Sequence, residues 1–322
     1  MANSDTRPDD ENNCGISVVV PVYNEHESLR ELAERLTAVL TDVGDPYEVI
    51  FVDDGSTDES FDVLSGINDQ DNRFKVVQLR KHFGKSPALL AGFLDAKGRI
   101  VATLDSDLQD FPEELPQLID VVREGELDLV CGRRARRSDR VFKRIGSRLF
   151  NVASAVLTGV NIRDANTGMK AMRQEVAKEV TLYGELHRFL PALAAWRGFS
   201  VGEVSVRHGT RKYGRSKYGP GKAVKGFLDL LTVAFLMRFA RSPAHLFGTI
   251  GLVLGAGGLG IDIFIAYLRL ATGSIQGRYP LLALGLLMSL MGVQFLSLGL
   301  LAEMIAYGRR GRTAIHVKRR LS

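Results

Sequence analysis

Cysteine is nearly absent from this chain. Its 322 residues hold only Cys14 and Cys131, and the two have no metal-ligand spacing. That excludes a disulfide framework and a cysteine-bound zinc site, and in a reducing compartment both are expected to be plain thiols. The opening MANSDTRPDDENN has no apolar stretch, so residues 1–14 read as a disordered polar lead and not as a signal peptide. No internal repeat or low-complexity tract stands out. No G-x-G-x-x-G follows any strand-like run and no G-x-x-x-x-G-K-[ST] loop occurs, which argues against a dinucleotide dehydrogenase or a P-loop NTPase.

Long apolar runs are present, and they are confined to the end of the chain. Most of the charge lies before about residue 220, whereas HLFGTIGLVLGAGGLGIDIFIAYLRL and YPLLALGLLMSLMGVQFLSLGLLAEMIAY follow it. Each exceeds the roughly 20 residues a helix needs to cross a bilayer, and soluble core helices rarely stay apolar on every face for so long. The tail GRRGRTAIHVKRRLS carries six Lys or Arg, against only Arg269 and Arg278 between the segments. By the positive-inside rule both ends are expected in the cytoplasm, together with everything before the first span. The net charge of +5 suits a chain lying against anionic lipid but decides little alone. Asp262 falls inside the first span, where an acid is either functional or a partner for the other span or another subunit.

Residues 16–22, 47–53, 75–79, 99–105 and 127–132 form apolar, β-branched runs, alternating with segments of helical character such as HESLRELAERLTAVL. The pattern predicts a parallel α/β sheet covered on both faces, with ligands bound beyond the carboxyl ends of its strands. Those ends read PVYNE, VDDGS, RKHFGKS, LDSDLQ and GRRARR, so acids, bases, amides and glycines converge on one edge. A strand-like GEVSVRH and the loop GTRKYGRSKYGPG follow further on. Residues 222–241 read either as an amphipathic helix lying at the membrane interface or as a linker helix packed on the domain. The organisation expected is a lead (1–14), a catalytic α/β domain (15–220), a juxtamembrane helix (221–243), two transmembrane helices (244–307) and a basic tail (308–322).

In TLDSDLQDFPEE, an extended chain would point Asp105, Asp107 and Gln109 to one side. Three hard oxygen donors suit Mg²⁺ or Mn²⁺, which leave positions for water or substrate phosphate. The other reading is an Asp-rich turn that caps a helix. Asp110, just before Phe111-Pro112-Glu113-Glu114, is assigned to that cap, and Asp105 and Asp107 to the metal. In FVDDGSTD, Asp53 and Asp54 sit where a nucleoside's base and ribose would be held.

VVVPVYNE, VDDGSTD, LDSDLQ and RKYGRSKYG, in this order between Ile16 and Tyr218, resemble the family 2 glycosyltransferases. The similarity is to their polyprenyl-phosphate branch: dolichol-phosphate mannose synthase and the bacterial enzymes that load glucose or aminoarabinose onto undecaprenyl phosphate. The resemblance implies a GT-A fold in a bacterial inner-membrane protein. It also implies a nucleotide-sugar donor linked to UDP or GDP, a polyprenyl-phosphate acceptor and no nucleic-acid partner. Pro21, Tyr23 and Glu25, with Asp53, would line the nucleotide pocket. Asp105, Asp107 and Gln109 would hold the metal on the diphosphate. Arg134 and Arg148 match the arginines that meet the acceptor phosphate, Arg133 being the alternative to Arg134. Arg211 and Lys217 would close over the donor phosphates, whereas Arg136, Arg137 and Arg140 suit a solvated basic face. Glu185, His187 and Arg188 lie either near the sugar or on an amphipathic core helix. Asn166-Thr167-Gly168 departs from the SGF of many mannose synthases, which weakens a mannose assignment.

The sole tryptophan, Trp196, stands in AAWRGF without the Q-x-x-R-W of processive polysaccharide synthases. A non-catalytic nucleotide-sugar sensor or assembly subunit would have a degraded metal motif, and this one is intact. The expected reaction is therefore a single inverting transfer. The hairpin is compatible with a homo-oligomer.

Overall fold

The computed structural model describes residues 14–134, 162, 164, 167–180, 182, 184, 186–209, 235 and 243–310. Arg136, Arg137, Arg140, Arg148, Asn166, Glu185, Arg211 and Lys217 lie outside the described residues, as does the 221–243 segment apart from Phe235 and Pro243. The chain divides into two compact units at Ala234/Phe235.

The first unit is a seven-stranded sheet with helices. β1 (Ile16–Val22) is buried along almost its whole length, as a strand covered on both faces must be. It pairs in parallel with β2 (Tyr47–Asp53) and β4 (Ile100–Thr103), and β2 pairs in parallel with β3 (Phe74–Gln78). α1 (His26–Val43) connects β1 to β2 and buries Leu29, Leu32, Leu36 and Leu40, an i, i+3/i+4 stripe facing the core. α2 (Ser60–Gln70), α3 (Lys85–Asp95) and α4 (Leu115–Arg123) follow β2, β3 and β4 in turn.

Beyond β4 the mostly parallel sheet takes in one antiparallel strand. β6 (Lys170–Arg173) lies antiparallel between β4 and β5 (Leu129–Arg134), and β7 (Val201–Val206) pairs in parallel with β5, giving the order β3-β2-β1-β4-β6-β5-β7. The sequence reading missed β6 because KAMR is only four residues long and begins and ends in a cation. α5 (Gln174–Glu179) and α6 (Leu190–Trp196) complete this unit, with a 3₁₀ turn at Leu186–Phe189. Asp53 of β2, Thr103 of β4 and Arg134 of β5 all end on one edge, with Tyr23 just past β1.

The second unit is an antiparallel hairpin of α7 (Pro243–Thr272) and α8 (Tyr279–Arg310). Glycines set its close contact: a Cβ on Gly292 would lie 2.5 Å from the Gly255 nitrogen, and one on Gly258 would lie 2.6 Å from the Gly285 carbonyl oxygen. Small residues let two helix backbones approach where no water-driven burial helps them. In their most apolar stretches the two helices are only 17% and 11% buried. Both are long and apolar enough to cross a membrane.

Candidate active site

The loops after β1 and β2 are tied together. Asn24, with φ 53, donates its backbone N–H to Ser56 Oγ (3.0 Å) and accepts the Thr57 N–H at Oδ1 (2.8 Å). Asp53 is fully buried, accepting the Ser56 N–H at 3.0 Å and the Gln78 amide at 3.2 Å. Its carboxylate thus fixes the turn beside the pocket that the sequence assigns to the nucleotide. Asp54 is also buried. It accepts the N–H groups of Phe83 and Gly84, each at 2.8 Å, and pairs with His82 Nδ1 at 2.8 Å. Both oxygens of Asp54, a residue expected at the nucleoside, are engaged by the 82–84 turn. The His82 ring then stacks on Tyr23, centroid to centroid 3.9 Å. Pro21, Tyr23 and Glu25 are all half-buried at this edge.

The carboxylates after β4 stand on a turn. Ser106, Leu108 and Asp110 are buried while Asp105, Asp107 and Gln109 are half-exposed, so the alternation expected from the sequence holds. The extended backbone expected with it does not. Residues 106–107 turn, Leu108 takes a left-handed φ of 57, and Asp107 Oδ1 accepts the Gln109 N–H at 3.2 Å. Asp110 is not the helix cap that its position suggested. The 3₁₀ turn Pro112–Glu114 is preceded by Phe111 with no side-chain cap, and Asp110 Oδ1 instead meets His208 Nδ1 at 2.9 Å. Gly209, two residues before Arg211 in the sequence, donates to the Gln109 carbonyl at 2.8 Å.

Cations gather around Asp105. Lys85, the first residue of α3, donates its Nζ to Asp105 Oδ1. Burial alone would raise the Asp105 pKa, but the Lys85 ammonium, with Lys170 and Arg134 behind it, holds the carboxyl below its ordinary value. Burial opposes the Lys85 charge as well, and Asp105, Asp110 and Asp107 together outweigh it and raise its pKa. Lys170 is buried, donates to the Thr167 carbonyl, and is shifted down by burial and by the charge of Lys85. Arg134, expected at an acceptor phosphate, forms a two-pronged pair with buried Asp164 through Nε (2.7 Å) and Nη2 (2.8 Å), which sets the plane of its guanidinium. Arg133 reaches Ser205 Oγ at 2.7 Å in an exposed position.

Sequence reasoning missed Lys85, Asp164, Lys170 and Gly168. HFGKS was recognised as a strand end, but nothing in it names Asp105 as the partner of its lysine. Gly168 is packed so closely on Asp105 that a Cβ there would lie 2.4 Å from the carboxyl carbon. Of the segment around Glu185, His187 bonds Ser86 Oγ through its ring (2.9 Å) and its backbone N–H (3.0 Å), which joins the 186–189 turn to the start of α3.

Among the described residues no three His, Cys, Asp or Glu side chains gather closely enough to hold a metal by themselves. Two half-exposed carboxylates and an amide oxygen still fit Mg²⁺ or Mn²⁺, ions usually held by one or two carboxylates with substrate phosphates completing the shell.

Residues 17–181 match the family described as Glycosyl transferase family 2. The chain is 37% identical over 295 residues to a dodecaprenyl-phosphate galacturonate synthase of Rhizobium johnstonii, covering 90% of this chain and 87% of that one. It is 36% identical over 294 residues to an undecaprenyl-phosphate 4-deoxy-4-formamido-L-arabinose transferase of Serratia proteamaculans, covering 90% and 88%. Among solved structures, a glucosyl-3-phosphoglycerate synthase of Mycobacterium tuberculosis bound to Mn²⁺, UDP-glucose and phosphoglyceric acid superposes with a TM-score of 0.55. It is 20% identical, over 69% of this chain and 80% of that one. A mannosyl-3-phosphoglycerate synthase of Rubrobacter xylanophilus gives a TM-score of 0.55 at 17% identity, over 70% and 74%. At these identities the solved structures speak for the fold, which is the GT-A arrangement of a mostly parallel sheet.

Proposed function

The chain belongs to glycosyl transferase family 2, and from that premise we propose that it transfers a sugar from a UDP- or GDP-linked donor to a polyprenyl phosphate, with inversion. The observation that carries this reading is the extent of the two relatives. Both are named for a polyprenyl-phosphate product or substrate, and both match over a span too long to end before the first apolar helix at Pro243. The likeness therefore includes part of the unit suited to a membrane, where a lipid acceptor resides.

The chemistry asks little of a general base. A phosphate monoester has a second pKa of about 6, so near neutral pH the acceptor oxygen is already largely anionic. It attacks the anomeric carbon as the bond to the donor's diphosphate breaks, and the electron pair leaves with the nucleoside diphosphate. The chain's task is to align the two and to stabilise the leaving charge. Arg134, its plane fixed by Asp164, is assigned to the acceptor phosphate together with Arg148. Tyr23, Pro21, Glu25, Asp53 and Asp54 are assigned to the nucleoside side of the edge, where Asp54 also holds the adjoining turn. Asp105, Asp107 and Gln109 would hold Mg²⁺ or Mn²⁺, which when bound supplies a positive charge to the departing diphosphate. Arg211 and Lys217 are assigned to the donor phosphates. Gly209, two residues before Arg211 in the sequence, is bonded to the Gln109 carbonyl, which supports this. The apolar hairpin is assigned to the bacterial inner membrane, with both ends and the catalytic unit in the cytoplasm.

A competition between acceptors tests the reading. Purified protein in detergent, given one accepted donor, is offered undecaprenyl phosphate and 3-phosphoglycerate together. Glycolipid alone is expected; sugar transfer to the soluble acid instead would overturn the lipid-acceptor assignment.

A further inference from the structure

The turn that presents Lys85 is fixed on both sides, while among the described residues the lysine side chain forms one ion pair, with Asp105. On the N-terminal side, buried Asp54 takes the N–H groups of Phe83 and Gly84 and the ring of His82. Gly84 itself has φ 103 and ψ 170, a conformation open to glycine alone, so the entry to α3 is specified by sequence. On the other side, Ser86 is buried and bonded twice to His187. From this fixed base a flexible four-carbon stem carries an ammonium to Asp105, within the field of Asp107 and Asp110.

We propose that Lys85 is a donor-binding cation that first neutralises Asp105 and then passes to the donor's diphosphate when a divalent ion takes the carboxylate. The inference rests on the donor and metal assignments made above. An ammonium and a divalent ion repel strongly at contact distance, so one carboxylate oxygen cannot hold both. The three aspartates nevertheless keep the ammonium in the site. A divalent ion offsets Asp105 and Asp107, and the ammonium it displaces from Asp105 adds to the charge that Arg211 and Lys217 are assigned to bring to the diphosphate. The lysine thus competes with the metal in the first state and cooperates with the donor in the second.

This dual role predicts effects of opposite sign. Calorimetric titrations use the full chain in detergent, first with Mn²⁺ alone, then with whichever of UDP or GDP the unsubstituted protein binds, under saturating Mn²⁺. Lys85→Met is expected to bind Mn²⁺ alone about tenfold more tightly and the nucleotide about tenfold more weakly, the size of one charged hydrogen bond in each case. Lys85→Arg, which keeps the charge, is expected to restore nucleotide affinity. Lys85→Gln serves as the second neutral variant should the methionine substitution misfold. Unchanged Mn²⁺ affinity in the neutral variants, or both affinities falling together, would overturn the proposal and leave a structural ion pair. If the unsubstituted protein binds nucleotide with Mn²⁺, such a failure belongs to Lys85 alone. If it binds neither nucleotide, the donor site falls and the Lys85 proposal with it.

Discussion

Gly168 shows how much of the site's geometry rests on a single hydrogen atom. Its backbone packs against Asp105, and any Cβ would overlap the carboxylate at 2.4–2.7 Å. Gly168→Ala should therefore displace Asp105 without unfolding the sheet. A displacement on the order of 1 Å costs roughly 10²-fold in rate, so kcat should fall by about that much with circular dichroism unchanged. At the opposite edge, buried Glu48 holds Ser17 Oγ (2.6 Å), the Lys97 N–H (2.7 Å) and Lys75. Burial raises its pKa, but the bonds from Lys75, Ser17 and Lys97 outweigh this and bring it below the ordinary value of 4.5. A carboxyl depressed in the folded state contributes stability that is present above its unfolded pKa and lost as pH falls through the folded one. Glu48→Gln should cost about 1–3 kcal/mol at neutral pH and flatten the loss of stability below about pH 4.5, as read by chemical unfolding across that range. Asp105 and Asp107 were legible in the sequence because two carboxylates after an apolar strand are costly without a cation. Lys85 and Asp164 were not, because their partners stand 20 and 30 residues away and nothing local marks the pairing.

At the scale of elements, the first five strands and the two apolar helices could be read from the sequence, since continuous β-branched runs and long apolar segments each allow few structures. β6 could not, and it lies between β4 and β5. The turn after β4 keeps the two-residue alternation of exposure that an extended chain would give, although Leu108 adopts a left-handed conformation. β5, held between β6 and β7, buries Cys131 completely, and this burial pushes the thiol up to about 12. Maleimide at pH 8 should therefore leave Cys131 unmodified in the folded protein and label it after denaturation, as mass spectrometry of the peptide would show. Labelling of the folded chain would mean that β5 opens readily.

The whole molecule combines a unit whose strand ends collect aspartates and cations with a unit whose two helices suit a bilayer. Composition alone separated them, because charge ends near the point where long apolar runs begin. In the proposed function the two units are complementary: the sheet edge is assigned to a charged donor, and the hairpin to the membrane where a lipid acceptor is found. The central claim is metal-supported sugar transfer to a lipid phosphate at Asp105 and Asp107. The most direct test incubates purified protein in detergent with undecaprenyl phosphate, Mn²⁺ or Mg²⁺ and a panel of UDP- and GDP-sugars, scoring glycolipid by mass spectrometry. One donor should yield a polyprenyl-phosphate monosaccharide that disappears with EDTA and in Asp107→Ala. A product that persists under either condition, or no product from any donor while the nucleotide still binds, would contradict the account.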